Sequence, residues 1–162
     1  MSEKKELLEE SKKLIEKYKM MSFGVGEGYF IEPYSSSSSS SSNERPFAAS
    51  IYYLLDQNDI VKFHKLDCDE IWYYHQGVGV NIYFVEKDNT LSVRQLGIGE
   101  GQKPMVIVPK NTIYGAENID PNGYTFISCV TVPKFSPQGA EIITKKKCPN
   151  LPEKYEKFYS TE

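Results

Sequence analysis

His64 and Glu70 are the two ionisable side chains whose spacing first indicates chemistry. They lie in the stretch FHKLDCDEIWYYHQG over residues 63–77, which predicts a strand, a tight acidic turn and a second strand that ends at a glycine. Because alternate residues of a strand face the same side, His64 and Leu66 share one face, and Glu70, Trp72 and Tyr74 share another. If these faces meet inside a barrel, an imidazole, a carboxylate and an indole line one small-molecule pocket that is poorly equipped to hold a metal.

Composition limits which classes of partner the chain is expected to bind. The chain has 162 residues, of which 40% are hydrophobic and 13% aromatic, and its formal net charge is -3. We expect one domain over residues 1–162 that binds neither nucleic acid nor an acidic membrane surface, because it has no excess of positive charge. Cys68, Cys129 and Cys148 are odd in number and lack CxxC spacing, so buried free thiols are expected.

The two ends and one internal run have their own patterns. Residues 3–22 carry apolar side chains at helical spacing among mixed Glu and Lys, which predicts an amphipathic N-terminal helix. The charged first residues are unlike a signal peptide, and no apolar run has membrane-spanning length, so we expect a cytoplasmic protein.

Residues 35–42 are serines only and predict a mobile surface loop. Residues 149–159 predict an arm, either a short helix or extended, whose aromatic residues pack on the barrel.

The barrel core is expected over residues 47–142, where short segments rich in β-branched and aromatic residues alternate with turns. A first short strand is predicted at 29–32, after Gly24-x-Gly26-x-Gly28. That glycine pattern lacks the preceding strand and the following helix of a phosphate loop, so we interpret it as a turn. Strands at such regular intervals predict an all-β antiparallel sandwich or barrel. The further predicted strands are 49–56, 61–66, 70–75, 80–85, 91–96, 105–108, 113–116 and 124–132.

The stretch around His64 resembles the first motif of the cupin superfamily. That motif is His-x-His, then Glu after three or four residues, then Gly after six more. His64, Glu70 and Gly77 stand at these positions, and Leu66 replaces the second histidine. The resemblance therefore keeps one imidazole and one carboxylate of the family's usual ligand set.

The second cupin motif, Pro-x-Gly-x-x-His-x-x-x-Asn, resembles residues 109–118. Asn111 stands where glycine is usual, and Tyr114 stands where the histidine ligand belongs. Asn118 keeps the motif's last residue. A second metal ligand is thus replaced, in addition to the histidine that Leu66 replaces.

Further matches narrow the resemblance to the small, largely uncharacterised family-five cupins. The resemblance implies a double-stranded β-helix, or jelly-roll barrel, with an N-terminal helix. Such proteins are similar to sugar-nucleotide epimerases, commonly form homodimers and mostly lack an assigned activity. The matching segments are Gly28-Tyr29-Phe30, Ile51-Tyr52-Tyr53-Leu54-Leu55, Asp69-Glu70-Ile71-Trp72, Val108-Pro109, Gly123-Tyr124-Thr125 and Val132-Pro133-Lys134-Phe135.

A metal is not expected in this pocket. Open transition-metal sites generally need three or four imidazole or carboxylate ligands, and the two motifs retain only His64 and Glu70. The one other histidine, His75, falls on the opposite face of its strand from Glu70. We therefore expect neither a metal nor another cofactor.

Proton transfer is the chemistry left to these groups without a metal. An isomerase or epimerase needs a base beside a carbonyl and an acid, often Tyr, on the other side. His64 as the base, Tyr114 or Tyr52 as the acid, and Glu70 nearby fit that class. The alternatives are that His64 is a satisfied interior histidine and that Glu70 caps the acidic turn or pairs with a lysine.

Three functions remain open, and small-ligand binding is favoured. We expect a homodimeric cupin that binds a small molecule inside its barrel without metal. The predicted ligand-binding residues are Tyr52, His64, Glu70, Trp72 and Tyr114. The alternatives are a metal-independent isomerase or epimerase acting on a sugar-like or keto compound, with His64, Glu70 and Tyr114 as its catalytic residues, and a structural dimer scaffold. Few arginines are available for phosphates, which weakens a nucleotide-sugar substrate.

Overall fold

Two antiparallel β-sheets face each other in the computed structural model, which describes residues 5–37 and 45–161. The first sheet has the strand order β1-β2-β3-β10-β5-β8, and the second has the order β11-β4-β9-β6-β7. The strands are β1 (Met21–Ser22), β2 (Tyr29–Ser35), β3 (Ala49–Leu55), β4 (Ile60–Leu66), β5 (Asp69–Gly77), β6 (Val80–Val85), β7 (Leu91–Leu96), β8 (Met105–Val108), β9 (Ile113–Asn118), β10 (Thr125–Val132) and β11 (Ala140–Ile142). The predicted all-β jelly-roll fold is confirmed.

The main core lies between the two sheets. Alternation along β5 turns Glu70 and Trp72 inward, where both are buried, while Asp69 and Ile71 face outward. Strands of both sheets contribute to one apolar cluster, with Trp72 from the first sheet and Tyr114 from the second. The histidine and the carboxylate of the first motif are therefore carried by facing sheets, His64 on β4 and Glu70 on β5.

The N-terminal helix α1 (Glu9–Tyr18) covers the outer face of the first sheet. It is shorter than the predicted range of 3–22. At its start, Leu8 is extended, because the segment before the helix is bound to the barrel: Lys5 Nζ lies 2.8 Å from a carboxylate oxygen of Asp59. At its end, Lys19 adopts a left-handed conformation with φ of 55°, and the chain then enters β1.

The C-terminal segment covers the outer face of the second sheet. It contains a 3-10 helix over Glu153–Phe158, and Phe158 is fully buried against Phe63 of β4. Strand β11, which was not predicted, pairs with β4 beside His64. Both outer faces are therefore covered in part, and this explains why several strands are apolar on both sides.

The predicted serine loop is described only in part. Ser35 ends β2, where it pairs with Ala49, and Ser36 accepts a hydrogen bond from the backbone N–H of Ala48 through its side-chain oxygen. The prediction for the rest of that run falls on residues 38–42, which lie outside the described residues. None of the helices in the described part of the chain combines the length and hydropathy needed to cross a bilayer.

Candidate functional site

A cavity of about 680 Å³ lies between the sheets and contains the ionisable groups of the first motif. Its size falls in the range of small-molecule sites. The side chains of Phe23, Phe135 and Ile142 belong to its lining and are exposed, so the cavity opens to solvent on their side. The lining also includes Glu27, Phe30, Glu32, Tyr53, Lys62, His64, Leu66, Glu70, Trp72, Tyr114, Cys129 and Ala140.

Glu70 is the buried carboxyl of this cavity, with only 8% of its surface exposed. Burial raises its pKa to about 7, against the opposing effects of the Tyr114 hydroxyl, the Trp72 indole and the Cys129 thiol. Tyr114 donates a hydrogen bond of 3.1 Å to Oε2. In the described structure, Glu70 neither caps the acidic turn nor pairs with a lysine. Its neighbour Asp69 accepts a hydrogen bond from the backbone N–H of Lys110 instead.

His64 faces the same cavity from β4 and is partly exposed. Its Nδ1 lies 2.7 Å from the backbone carbonyl oxygen of Lys62. Since a carbonyl only accepts, Nδ1 carries the proton of the neutral ring and Nε2 keeps a free lone pair. Burial lowers the pKa of His64, more than its hydrogen bond to Lys62 raises it, so the ring is neutral at pH 7.

Tyr114 connects the two ionisable groups. Its ring centroid lies 4.4 Å from that of His64, and its hydroxyl donates to Glu70. Burial raises the pKa of Tyr114 well above its usual value, with the charge of Glu70 as the next cause, so Tyr114 stays a proton donor. The structure thus brings together His64, Tyr114 and Glu70, in that order across the floor of the cavity.

Trp72 also lies at this floor. It is 2% exposed, and its ring meets that of Tyr114 edge-on at a centroid distance of 6.2 Å. Its Nε1–H lies close enough to Glu70 to favour the ionised carboxylate, but among the described residues it has no acceptor with hydrogen-bond geometry. Trp72 is therefore both a wall of the cavity and an unused donor.

The expectation that Tyr52 lines the pocket is wrong. Tyr52 packs on the outer face of the first sheet against Tyr18 of α1 and Phe126 of β10, at centroid distances of 5.2 Å and 5.8 Å. The next residue, Tyr53, is the one that lines the cavity, and its hydroxyl donates to the backbone carbonyl of Glu27. Strand β3 is aromatic on both faces because α1 covers the outer one.

The donor set does not fit the metal site that a cupin fold implies. Among the described residues, no group of three or more His, Cys, Asp and Glu side chains is arranged to hold a metal ion. Leu66 and Tyr114 line the cavity where further histidines would be needed. His75 lies on the other face of β5, beside Ser128 and Phe126. The metal-free site stays a prediction for metal analysis of the purified protein.

The other motif residues are structural. Gly77 has φ of 105°, and a Cβ there would lie 2.0 Å from the carbonyl oxygen of Tyr124. Asn111 has φ of 62°, the left-handed conformation that asparagine tolerates best after glycine, which explains why it can stand in the glycine position. Asn118 is buried, and its Nδ2 lies 3.1 Å from the carbonyl oxygens of Leu55, Asp56 and Gly123.

Several lining residues were not predicted. Phe23 and Glu27 belong to the loop before β2, and Phe135 and Ile142 come after β10. Spacing within strands carries no signal for such residues, because loops and the short β11 approach the cavity from its open side. Cys129 had a usable signal in the sequence: it follows the apolar Ile127 by two positions in a predicted strand, so the two side chains face the same side.

Two facing antiparallel sheets around an interior cavity define a jelly-roll protein of the cupin class. The chain belongs to the family Cupin_5, described as Cupin superfamily (DUF985), whose model matches residues 12–143. The expected family membership is therefore confirmed. A comparison with curated proteins found no match.

Solved structures support the same fold. Protein SO0799 from Shewanella oneidensis is 26% identical, with a TM-score of 0.80, and the alignment covers 93% of this chain and 97% of that chain. A hypothetical protein from Leishmania major is 23% identical, with a TM-score of 0.75 and coverage of 90% and 93%. KdgF from Halomonas sp. is 16% identical, with a TM-score of 0.54 and coverage of 74% and 92%.

Proposed function

We propose that this cupin binds a small organic molecule in the cavity between its sheets, without a metal. The observation that carries the proposal is the floor of the cavity, where Glu70 is buried beside the unused Trp72 N–H. Buried polar groups are costly unless they are paired, and a cavity with a few converging polar groups among apolar walls is typical of a ligand site.

The polar groups at the floor of the cavity support ligand binding rather than metal catalysis. The lone pair on Nε2 of His64 and the carboxyl of Glu70 reach one cavity from opposite sheets, with Tyr114 between them. These groups offer a ligand one neutral acceptor and one ionisable acceptor. Apolar side chains form most of the remaining wall, so the ligand presents apolar surface to them.

A substitution that narrows the cavity tests the proposal. Ala140 lines the cavity from β11, while its neighbour Glu141 is not among the lining residues. Ala140→Phe should abolish the thermal stabilisation produced by a ligand found in a small-molecule screen, and Glu141→Phe should leave it unchanged. Trp72 is the chain's one tryptophan, so its fluorescence should change when the ligand binds to the unaltered protein. Equal stabilisation of both variants would place the ligand elsewhere and reject the proposal.

A metal-independent isomerase is the second function, favoured by one observation. Glu70 has a pKa of about 7, which suits a general acid or base at neutral pH. Neutral His64, through Nε2, would take the proton beside a carbonyl, and Glu70, hydrogen-bonded to Tyr114, would return one. Solvent deuterium should then enter the ligand that the cavity binds, and it should not do so with His64→Gln. Binding without any deuterium incorporation would leave only the first function.

A further inference from the structure

We propose that the cavity selects an organic cation, an apolar amine whose ammonium group binds the carboxylate of Glu70. This inference rests on the proposed binding function and names the chemical class of its ligand. It follows from the buried carboxylate, from the charges of the lining and from the aromatic rings that lead from the opening to the floor.

Glu70 lacks a cationic partner. The described structure contains no salt bridge to it, and the hydrogen bond to its side chain comes from the neutral hydroxyl of Tyr114. The three polar neighbours Tyr114, Trp72 and Cys129 all favour the ionised form, and burial alone opposes it. A buried carboxylate is strongly favoured by a cation in hydrogen-bond contact, so a ligand ammonium supplies what the protein leaves out.

The rest of the lining disfavours anions. Glu27 and Glu32 line the cavity together with Glu70, and Lys62 is the one lysine or arginine among the described lining residues. Glu32 is paired with Lys134 at 3.0 Å, so Glu27 and Glu70 are the lining carboxylates for which the described structure shows no ion pair. The two arginines are engaged elsewhere. Arg45 makes a bidentate pair with Asp67 at 2.8 Å and 2.9 Å, and Arg94 lies over the ring of Phe84 at 4.5 Å. A phosphate or carboxylate ligand would therefore meet acidic groups with few compensating cations.

Aromatic rings complete a path for a cation. Phe23 at the opening packs against Phe30 at 5.0 Å and against Tyr53 at 5.8 Å between centroids. Trp72 lies at the floor beside Glu70. Faces of aromatic rings attract organic ammonium groups, Trp most strongly, and they also accept the apolar body of an amine. An alcohol would gain the apolar contacts and could accept a hydrogen bond from the Trp72 N–H, but it would not gain the charge pairing.

Three probes with one apolar body separate these possibilities. Phenylbutylamine, phenylbutanol and phenylbutyrate carry a cation, a neutral hydroxyl and an anion, and calorimetry gives the affinity of each. We expect the amine to bind at least about tenfold more tightly than the alcohol, and phenylbutyrate to bind most weakly. Glu70→Gln keeps the shape of the side chain and should remove the preference for the amine. Glu86→Gln, an exposed position outside the cavity, is the matched control.

The pH profile of the unaltered protein is a second measurement. Amine affinity should rise from about pH 6 to about pH 8 as Glu70 ionises, while the alkylamine stays protonated and alcohol affinity does not rise. The titratable and charged groups around Glu70 are Glu27 from the loop before β2, Glu32 from β2, Tyr53 from β3, His64 and Lys62 from β4, Cys68 from the following turn, Tyr114 from β9 and Cys129 from β10. Burial lowers the pKa of His64, and the profile is repeated with His64→Gln, which should keep the rise.

Each result has one meaning. Tight amine binding that Glu70→Gln removes and Glu86→Gln keeps supports the inference. If phenylbutanol or phenylbutyrate binds as tightly as the amine, or if Glu70→Gln leaves amine affinity unchanged, the cavity is a binding site but not one for cations. If none of the three probes binds, the inference is overturned, while the proposed binding function is decided separately by Ala140→Phe and Glu141→Phe.

Discussion

At the scale of single residues, the two substitutions in the cupin motifs change what the cavity can do. Leu66 turns a ligand position into apolar wall, and Tyr114 turns another into a hydrogen-bond donor for Glu70. A carboxylate that would coordinate a metal in a His-rich site is thereby left buried with a phenol. In place of two metal-ligand positions, the cavity therefore has an apolar wall and a hydrogen-bonded carboxyl whose pKa is raised to about 7.

The pH dependence of stability should reveal this carboxyl. The pKa of Glu70 is raised from 4.5 to about 7 in the folded protein. Because the folded state holds the proton more tightly, the contribution of Glu70 is fully present below about pH 4.5 and is lost as pH rises to about 7. The loss is about 3 kcal/mol in free energy of unfolding. Glu70→Gln should not show it.

Urea denaturation at about pH 5 and about pH 8 measures this difference. The informative quantity is the free energy of unfolding of Glu70→Gln minus that of the unaltered protein, because His64 contributes in the opposite direction. Burial lowers the pKa of His64, so its contribution is present above about pH 6.5 and is lost as pH falls. A difference that stays constant between the two pH values would show that Glu70 is not desolvated.

At the scale of secondary structure, the predictable parts were those with one buried face or clear turns. Strands β6, β7 and β8 begin and end where turn residues and alternation predicted them. The face of β3 could not be predicted, because Tyr52 and Tyr53 are both aromatic and α1 buries the outer one. The short β1 and β11 carry too few residues for a period, and they form because they pair with β2 and β4.

Docking of α1 depends on a buried polar contact rather than on its own propensity. Ser11 is fully buried, and its hydroxyl donates a hydrogen bond of 2.6 Å to Asp56, which is itself fully buried. Ser11→Ala leaves an acceptor of Asp56 without that donor, and we expect a loss of about 1–3 kcal/mol in free energy of unfolding. Glu10→Ala breaks only an exposed pair with Lys13 and should change stability little. Equal effects of the two substitutions in urea denaturation would contradict this account.

At the scale of the whole molecule, the two outer faces are unequally covered. The C-terminal segment covers much of the second sheet, while α1 covers the first sheet near Tyr52 and Phe126. Strand β8 is the edge of the first sheet, and its Met105 and Ile107 are 44% and 46% exposed. They stand beside Tyr73 and Ile71 of β5, so apolar side chains adjoin one another along this edge.

A second copy of the chain is the partner we expect at this edge. Edge strands offer backbone groups for pairing, and two copies of β8 related by a two-fold axis would bury Met105 and Ile107 on both sides. The carbonyl oxygen of Ile107 accepts a hydrogen bond from Arg94 at 3.3 Å within one chain, so the apolar side chains carry this expectation. Light scattering after size exclusion should therefore give twice the mass of one chain. Ile107→Lys should dissociate the dimer, since it places a charge in an apolar contact. Val25→Lys, at another exposed apolar position, should not. A dimer that survives Ile107→Lys would be built on a different surface, and a monomeric unaltered protein would end the expectation of a homodimer.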